Sequence, residues 1–120
     1  MNQRDQLHAW TQRRLARGWF KLKVPRTETH EMHKHLGGRS IYGYVSLSAE
    51  PADTFSFRST ALWDPEDYTD FVLDGVLDAL FPSVNPIFGV AVVLTEVRWH
   101  EIDSCAAAYQ VAATEAMKRI

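Results

Sequence analysis

The segment from residue 89 to residue 109 constrains the fold of this chain more than any other. Residues 90–94 are a short apolar run rich in β-branched side chains, which predicts a strand buried on both faces. Residues 98–101 interrupt the apolar pattern, and Asp103 or Ser104 is expected to cap a following helix. That helix is rich in small residues: Cys105, Ala106, Ala107, Ala108, Ala112, Ala113 and Ala116. The pattern predicts a rigid strand and a closely packed helix joined by a polar corner, which favours a contact surface over a pocket.

A second helix is predicted ahead of this segment. Asp64 has the position of a cap, and Pro65 that of the first helical residue. The apolar residues that follow fall on one helical face: Tyr68, Phe71, Val72, Val76, Ala79 and Leu80. Gly75 lies within that face, and we expect it to mark a close approach of this helix to the sheet.

Further strands are expected upstream. Residues 41–49 and 54–62 each alternate between apolar and polar side chains and are expected to pair as a hairpin. Residues 26–36 show no periodicity, and Gly37 and Gly38 predict a turn at their end. Residues 19–24 also alternate, and their inward side chains should be Phe20, Leu22 and Val24. With a helix over residues 2–17, the chain is predicted to be α+β, with helices on one face of a mixed sheet of about four strands.

Composition and length favour one ordinary globular domain. With 120 residues, 46% of them apolar and 23% charged, the chain is expected to form a single domain over residues 1–120, in which residues 1–18 are a helical extension. There is no apolar run of about 18 residues, and the polar N-terminus does not resemble a secretory signal. One cysteine excludes an internal disulfide and fits a reducing compartment, so we expect a cytoplasmic protein that does not contact membranes.

The net charge of −2 conceals a marked asymmetry. Residues 1–40 carry nine Lys or Arg and three acids, whereas residues 41–120 carry four Lys or Arg and twelve acids. This division indicates a basic surface facing a polyanion, or a basic half that pairs with the acidic half of a second copy. Ordinary scatter with one solvated helix face explains it equally well.

The histidines between residues 30 and 35 are the first candidates for chemistry. His30, His33 and His35 lie close to Glu28 and Glu31, and zinc accepts imidazole and carboxylate ligands. The stretch has no His-Glu-x-x-His spacing and no cysteine partner. We therefore expect a polar loop or edge strand and no metal site.

A nucleophilic or nucleotide-dependent site is also disfavoured. Ser104 and Cys105 lie close to His100 in sequence, but Cys105 is followed by alanines, the usual context of a buried structural cysteine. There is no Gly-x-Ser-x-Gly elbow, and the six glycines never give a phosphate-binding loop. We expect no enzymatic activity, no cofactor and no bound nucleotide.

Two motifs nevertheless have a specific likeness. Residues 37–45, Gly-Gly-Arg-Ser-Ile-Tyr-Gly-Tyr-Val, resemble the Gly-Gly-Arg-Gly-Gln-Tyr-Gly-His segment of domain IV of elongation factor G and its eukaryotic relative, elongation factor 2. Residues 99–105, Trp-His-Glu-Ile-Asp-Ser-Cys, resemble the Tyr-His-Asp-Val-Asp-Ser-Ser tip of that domain. The spacing holds from about Trp19 to Ile120. Departures are Ser40, Ile41 and Tyr44 in the first motif and Ala106 after the second.

The resemblance implies a fold like the second domain of ribosomal protein S5, with a left-handed strand–helix–strand crossover. It also implies a diverged, stand-alone copy that lacks the GTPase and reaches the ribosome with two tip loops. By position, the contact residues would be Gly37, Gly38, Arg39, Trp99, His100 and Glu101.

Three functions follow from these patterns. The first is a non-catalytic module that binds the ribosome or a structured RNA. The second is a protein–protein interaction domain that uses the same scaffold, including pairing between copies, without binding RNA. The third is a metal-dependent enzyme built on the histidines.

Overall fold

The structure of the protein is a computed structural model that describes residues 20–36, 39–63, 66–82, 87–100 and 104–120, together with Asp5, Ala9 and Arg13. Five strands and two helices lie in these ranges. In chain order they are β1 Phe20–Lys21, β2 Arg26–Leu36, β3 Arg39–Pro51, β4 Ser56–Ser59, α1 Thr69–Leu80, β5 Ile87–Arg98 and α2 Ala106–Lys118. Asp5, Ala9 and Arg13 have helical backbones, but most of residues 1–18 lies outside the described ranges and the N-terminal helix stays a prediction.

The strands form one mixed sheet in the order β1-β5-β3-β2. β3 pairs antiparallel with β2 on one side and with β5 on the other. β1 and β4 both run parallel to β5, along successive parts of it. The α+β class and the mixed sheet are therefore confirmed, with five strands where about four were expected. The segment β4–α1–β5 is a crossover between parallel strands, and its left-handedness stays a prediction from the resemblance.

The sequence left residues 26–36 open between a polar loop and an edge strand, and the structure shows the edge strand, β2. β2 is an eleven-residue edge strand that pairs with β3 along its whole length. Met32 is its one buried side chain among those described, so an apolar alternation never develops. Main-chain hydrogen bonds to β3 define this strand, which is why its side chains gave no signal.

The expected hairpin between residues 41–49 and 54–62 was wrong. β3 forms its hairpin with β2, whose last described pair is Leu36 and Arg39, whereas β4 pairs with β5 in parallel. The alternation within β3 was interpreted correctly, since Val45, Leu47 and Ala49 are completely buried. Alternation identifies the buried face of a strand but does not identify its neighbour in the sheet.

Helix α2 packs between the sheet and α1, and two glycines allow it to do so. A Cβ added to Gly43 in β3 would lie 2.7 Å from the backbone carbon of Ala108. A Cβ added to Gly75 in α1 would lie 2.1 Å from the carbonyl oxygen of Gln110. Gly75 does mark a close approach, as predicted. The sheet was the expected partner, and this was wrong, because the partner is α2. The small side chains of α2 permit this approach of the two helix backbones.

Two helix starts differ from those expected. α1 begins at Thr69, whose N–H donates to Oδ1 of Asp67 at 2.8 Å. Asp64 and Pro65, the expected start, lie outside the described residues and several positions ahead of it. In α2 the capping position is Cys105, in an extended conformation and without a side-chain cap, and Ser104 uses its hydroxyl elsewhere.

Burial was overestimated in two strands. In β5, Val90, Val92 and Leu94 are buried, but Ala91 and Val93 on the opposite face are only partly covered, so the strand is not buried on both faces. Of the three side chains expected to turn inward near residue 20, Leu22 is buried, while Phe20 and Val24 are exposed. β1 has only two residues, too few to form a covered face. Within the described ranges, no helix has the length and apolarity needed to cross a membrane.

Candidate functional site

The two segments singled out in the sequence reach the same end of the sheet. The hairpin of β2 and β3 closes at the pair Leu36 and Arg39, and the last residue of β5, Arg98, pairs with Tyr44 in the first half of β3. The backbone of Tyr42, near the start of β3, forms a bridge with that of Ser104, just ahead of α2. We call this end of the sheet, residues 36–42 and 98–104, the tip. Gly37, Gly38 and Glu101 lie outside the described residues, and Arg39 is placed by its backbone.

Trp99 and His100 point to opposite faces of the sheet. The Trp99 ring is half-buried and stacks on Tyr68, with centroids 5.8 Å apart, and on Tyr109, at 6.3 Å. It therefore belongs to an aromatic cluster on the helix side. The exposed His100 ring lies 5.9 Å from that of Tyr42 on the open face, which we define as the face of the sheet without helices. The alternation of β5 continues past its end, so adjacent residues have opposite orientations.

A relay of hydrogen bonds fixes the chain that carries His100. The hydroxyl of Tyr109, a fully buried residue of α2, donates to the carbonyl oxygen of Arg98 at 2.6 Å. Because its single proton is used there, the hydroxyl of Ser104 must donate to Tyr109, at 3.1 Å. The Ser104 oxygen in turn accepts the N–H of His100 at 2.8 Å, and its own N–H donates to the His100 carbonyl at 3.0 Å. Both ends of this loop are thus tied to one buried side chain of α2.

Burial keeps the Tyr109 hydroxyl protonated. It raises the pKa of Tyr109 above its usual value, although the hydrogen bond with Ser104 acts in the opposite direction. The donor that this relay needs is therefore present at every physiological pH.

Tyr42 links the strands across the open face. Its ring lies edge-on to that of His33 in β2 at 5.6 Å, so it stands between His33 and His100. Its hydroxyl donates to the carboxylate of Glu31 at 3.1 Å. Burial, together with this hydrogen bond, raises the pKa of Tyr42 to about 12. Tyr42 is therefore a neutral donor at physiological pH.

Arg98 and Tyr44 form the next row of the open face. The two residues are paired across β5 and β3, and the guanidinium carbon lies 4.2 Å from the centre of the Tyr44 ring. This is a cation–π contact. The Nε of Arg98 also donates to the carboxylate of Glu96 at 3.2 Å, so one edge of the guanidinium is occupied by this ion pair.

The histidines of β2 do not converge. His33 lies on the open face, whereas His30 contacts the C-terminal end of α2, where its Nδ1 accepts from Arg119 at 3.2 Å. Arg119 also donates to the Thr29 carbonyl and pairs with Glu28 at 3.4 Å. Alternation along a strand explains why His30 and His33 separate. Across the described ranges, no three His, Cys, Asp or Glu side chains come together as metal ligands.

Sequence reasoning missed the roles of Tyr109 and Tyr42. Tyr109 is an aromatic residue in an alanine-rich helix, which is a signal of a packing role but not of its hydrogen bonds. The position of Tyr42 between two histidines depends on the strand β2, which the sequence left open between a polar loop and an edge strand.

Comparison with known proteins assigns this geometry to a family. Residues 21–120 match the model of a family described as elongation factor G, domain IV. The chain belongs to this family. The match covers both tip segments and all the described strands except the first residue of β1. Domain IV on its own is a non-catalytic domain.

Whole translation factors are among the proteins that this chain resembles. The chain is 35% identical over 99 residues to an elongation factor G-like protein of Synechocystis sp., covering 76% of this chain and 15% of that protein. It is 33% identical over 95 residues to the elongation factor G of Pseudothermotoga lettingae, covering 71% of this chain and 14% of that protein. The chain thus spans about 15% of the length of these relatives.

A solved structure supports the same fold. A crystal structure of a protein from Thermus thermophilus superposes with a TM-score of 0.75 at 28% identity, over 82% of this chain and 16% of that one. This match confirms the expectation of a domain IV architecture, like the second domain of ribosomal protein S5.

Proposed function

We propose that the chain is a non-catalytic translation module that binds the ribosome, or a structured RNA, through its tip. One observation carries the proposal: the backbone bridge between Tyr42 and Ser104 holds the two family motifs side by side at one end of the sheet. Residues from separate segments can then contact one target together. Membership in the domain IV family supports a ribosomal target for this end of the molecule.

The contact residues fall into two groups. Arg39 would supply a planar fork suited to phosphate, and exposed His100 a ring and a donor for RNA. Trp99 would support the tip from inside, since its ring stacks on Tyr68 and Tyr109. The full set that we assign to the tip is Gly37, Gly38, Arg39, Trp99, His100 and Glu101.

The charge of the chain limits its affinity for isolated RNA. Its net charge is −2, and Glu101 in the tip would repel phosphate. We therefore expect binding to depend on the shape of the ribosome and to be weak on free RNA. The proposal places the chain in the cytoplasm, with ribosomes, and assigns it no cofactor or metal. It treats residues 1–120 as one domain, with residues 1–18 as a helical extension.

Co-sedimentation with purified small ribosomal subunits tests the proposal. At low salt the wild-type protein should pellet with the subunits, and Arg39→Ala/His100→Ala should lose most of this binding. Arg58→Ala is the matched control, because it removes an exposed arginine from β4, outside the tip. If Arg39 contacts a phosphate, its loss should lower the salt slope by about one.

Two results would contradict the proposal. One is equal pelleting of the wild type and the tip variant, with unchanged unfolding midpoints. The other is no pelleting of either protein while the chain associates with itself in analytical ultracentrifugation. The second result would favour the alternative, an oligomerisation domain that does not bind RNA.

A further inference from the structure

The open face of the sheet near the tip carries a group of ring and guanidinium side chains, of which only His100 belongs to the contact set assigned above. His33, Tyr42 and His100 form one row across the sheet, with neighbouring ring centroids 5.6 and 5.9 Å apart. Tyr44, with Arg98 over its ring, forms the row behind it. We call these five residues the platform. His33, Arg98 and His100 are exposed, and the two tyrosines are half-buried.

We propose that the platform stacks unpaired nucleobases of a single-stranded RNA segment that reaches the tip. The inference rests on the proposed function and extends it from the tip to the adjoining face of the sheet. Rings and guanidinium planes on an exposed sheet are surfaces on which bases stack, and stacking accepts every base because each has a π face.

The charges of the platform favour bases over phosphates. Glu96 pairs with Arg98 at 3.2 Å, and Glu31 accepts the hydrogen bond of the neutral Tyr42, so two acids face one arginine and the platform carries no excess positive charge. A surface with almost no excess positive charge attracts the RNA backbone weakly. Stacking on a ring needs no excess positive charge, so the binding energy must come mainly from contacts between rings and bases. This predicts a weak salt dependence, unlike that of the Arg39 contact.

The architecture supports a fixed platform. Tyr42 is held by its hydrogen bond to Glu31 on one strand and by its backbone bridge to Ser104 on the other side. The His100 backbone is held by Ser104, which is itself bound to the buried Tyr109. Rings held in this way lose little conformational entropy when a base stacks on them.

Fluorescence anisotropy with a short labelled oligoadenosine tests the inference, with an abasic oligonucleotide of equal length and charge as the comparison. The wild-type protein should bind the abasic strand at least fivefold more weakly than oligoadenosine, since one stacked base raises the affinity by roughly 5- to 150-fold. Tyr42→Leu removes a ring and should weaken oligoadenosine binding by a similar factor. Tyr42→Phe keeps the ring and should bind almost as well as wild type. Arg58→Ala, on β4 outside the platform, should have no effect.

Each other outcome overturns the inference. Equal affinity for the abasic strand would show that the protein contacts phosphates only. Equal binding by Tyr42→Leu and Tyr42→Phe would place the RNA elsewhere, as would the absence of any oligoadenosine binding. If ribosomes still pellet the protein in those cases, the tip proposal stands and only the platform fails. If oligoadenosine binds as expected but ribosomes do not, the proposed function fails and the platform stands.

Discussion

Replacing Tyr109 with Phe should destabilise the fold and loosen the tip while the aromatic cluster stays intact. The ring, which stacks on Trp99, is kept, and only the hydroxyl is lost. That hydroxyl donates to the Arg98 carbonyl at 2.6 Å and accepts from Ser104. Both groups would lose a hydrogen-bond partner beside a fully buried side chain.

The size of the destabilisation follows from how deeply the two hydrogen-bonding partners of Tyr109 are buried. Leaving a buried polar group without its partner costs about 1–3 kcal/mol, and Ser104 is partly accessible to water, which lowers its share. We expect Tyr109→Phe to reduce the free energy of unfolding by about 1–2 kcal/mol. For a domain of this size that corresponds to a fall in Tm of roughly 3–12 °C.

Urea denaturation followed by circular dichroism gives the stability, and hydrogen exchange at the His100 amide reports on the loop. That amide donates to Ser104 and should exchange faster in the variant. Tyr68→Phe is the control, because its ring belongs to the same cluster and its hydroxyl makes no hydrogen bond within the described part of the chain. A Tyr109→Phe variant as stable as the wild type, with unchanged exchange at His100, would refute the relay.

Three further predictions concern packing, pH and metals. Gly75→Ala should gain about 1 kcal/mol of helix propensity but lose more to overpacking, because its Cβ would meet the Gln110 carbonyl oxygen at 2.1 Å. We expect urea denaturation to show a net loss of about 1–3 kcal/mol in the free energy of unfolding. A gain in stability would mean that α1 and α2 are not in contact at this position. The pKa of Tyr42 is raised from 10.0 to about 12, so the contribution of Tyr42 to stability is fully present below pH 10 and is lost as the pH rises through 12. The Tyr42→Phe variant should not show this alkaline loss of stability. Identical alkaline unfolding curves for the wild type and the variant would contradict the prediction. The purified protein should contain no stoichiometric zinc, and a chelator should leave its Tm unchanged; one zinc per chain whose removal costs several degrees would establish a metal site.

The buried face of β3 and the presence of the two described helices were predictable from local patterns. β3 alternates because one of its faces packs on α2, so periodicity alone identified Val45, Leu47 and Ala49. β2 could not be found in this way, because it is an edge strand in which Met32 is the one buried residue among those with described side chains. Its pairing with β3 depends on main-chain hydrogen bonds, to which sequence periodicity is blind.

Partners in space were harder to predict than elements. Gly75 correctly indicated a close approach, but a glycine says nothing about which backbone approaches it, and the neighbour is Gln110 in α2. The candidate contact residues came from the resemblance and not from physical reasoning. Their separation, with Trp99 inward and His100 outward, follows from the alternation of β5 beyond its last residue.

Site-specific photo-crosslinking tests the proposed function most directly. A photoreactive amino acid in place of Arg39 should crosslink to ribosomal RNA when the protein is bound to small subunits. The same amino acid in place of Arg58, on β4 outside the tip, should not. If position 39 gives no crosslink while position 58 does, or if both positions crosslink only to a second copy of the chain, the tip is not the ribosome-binding end of this domain.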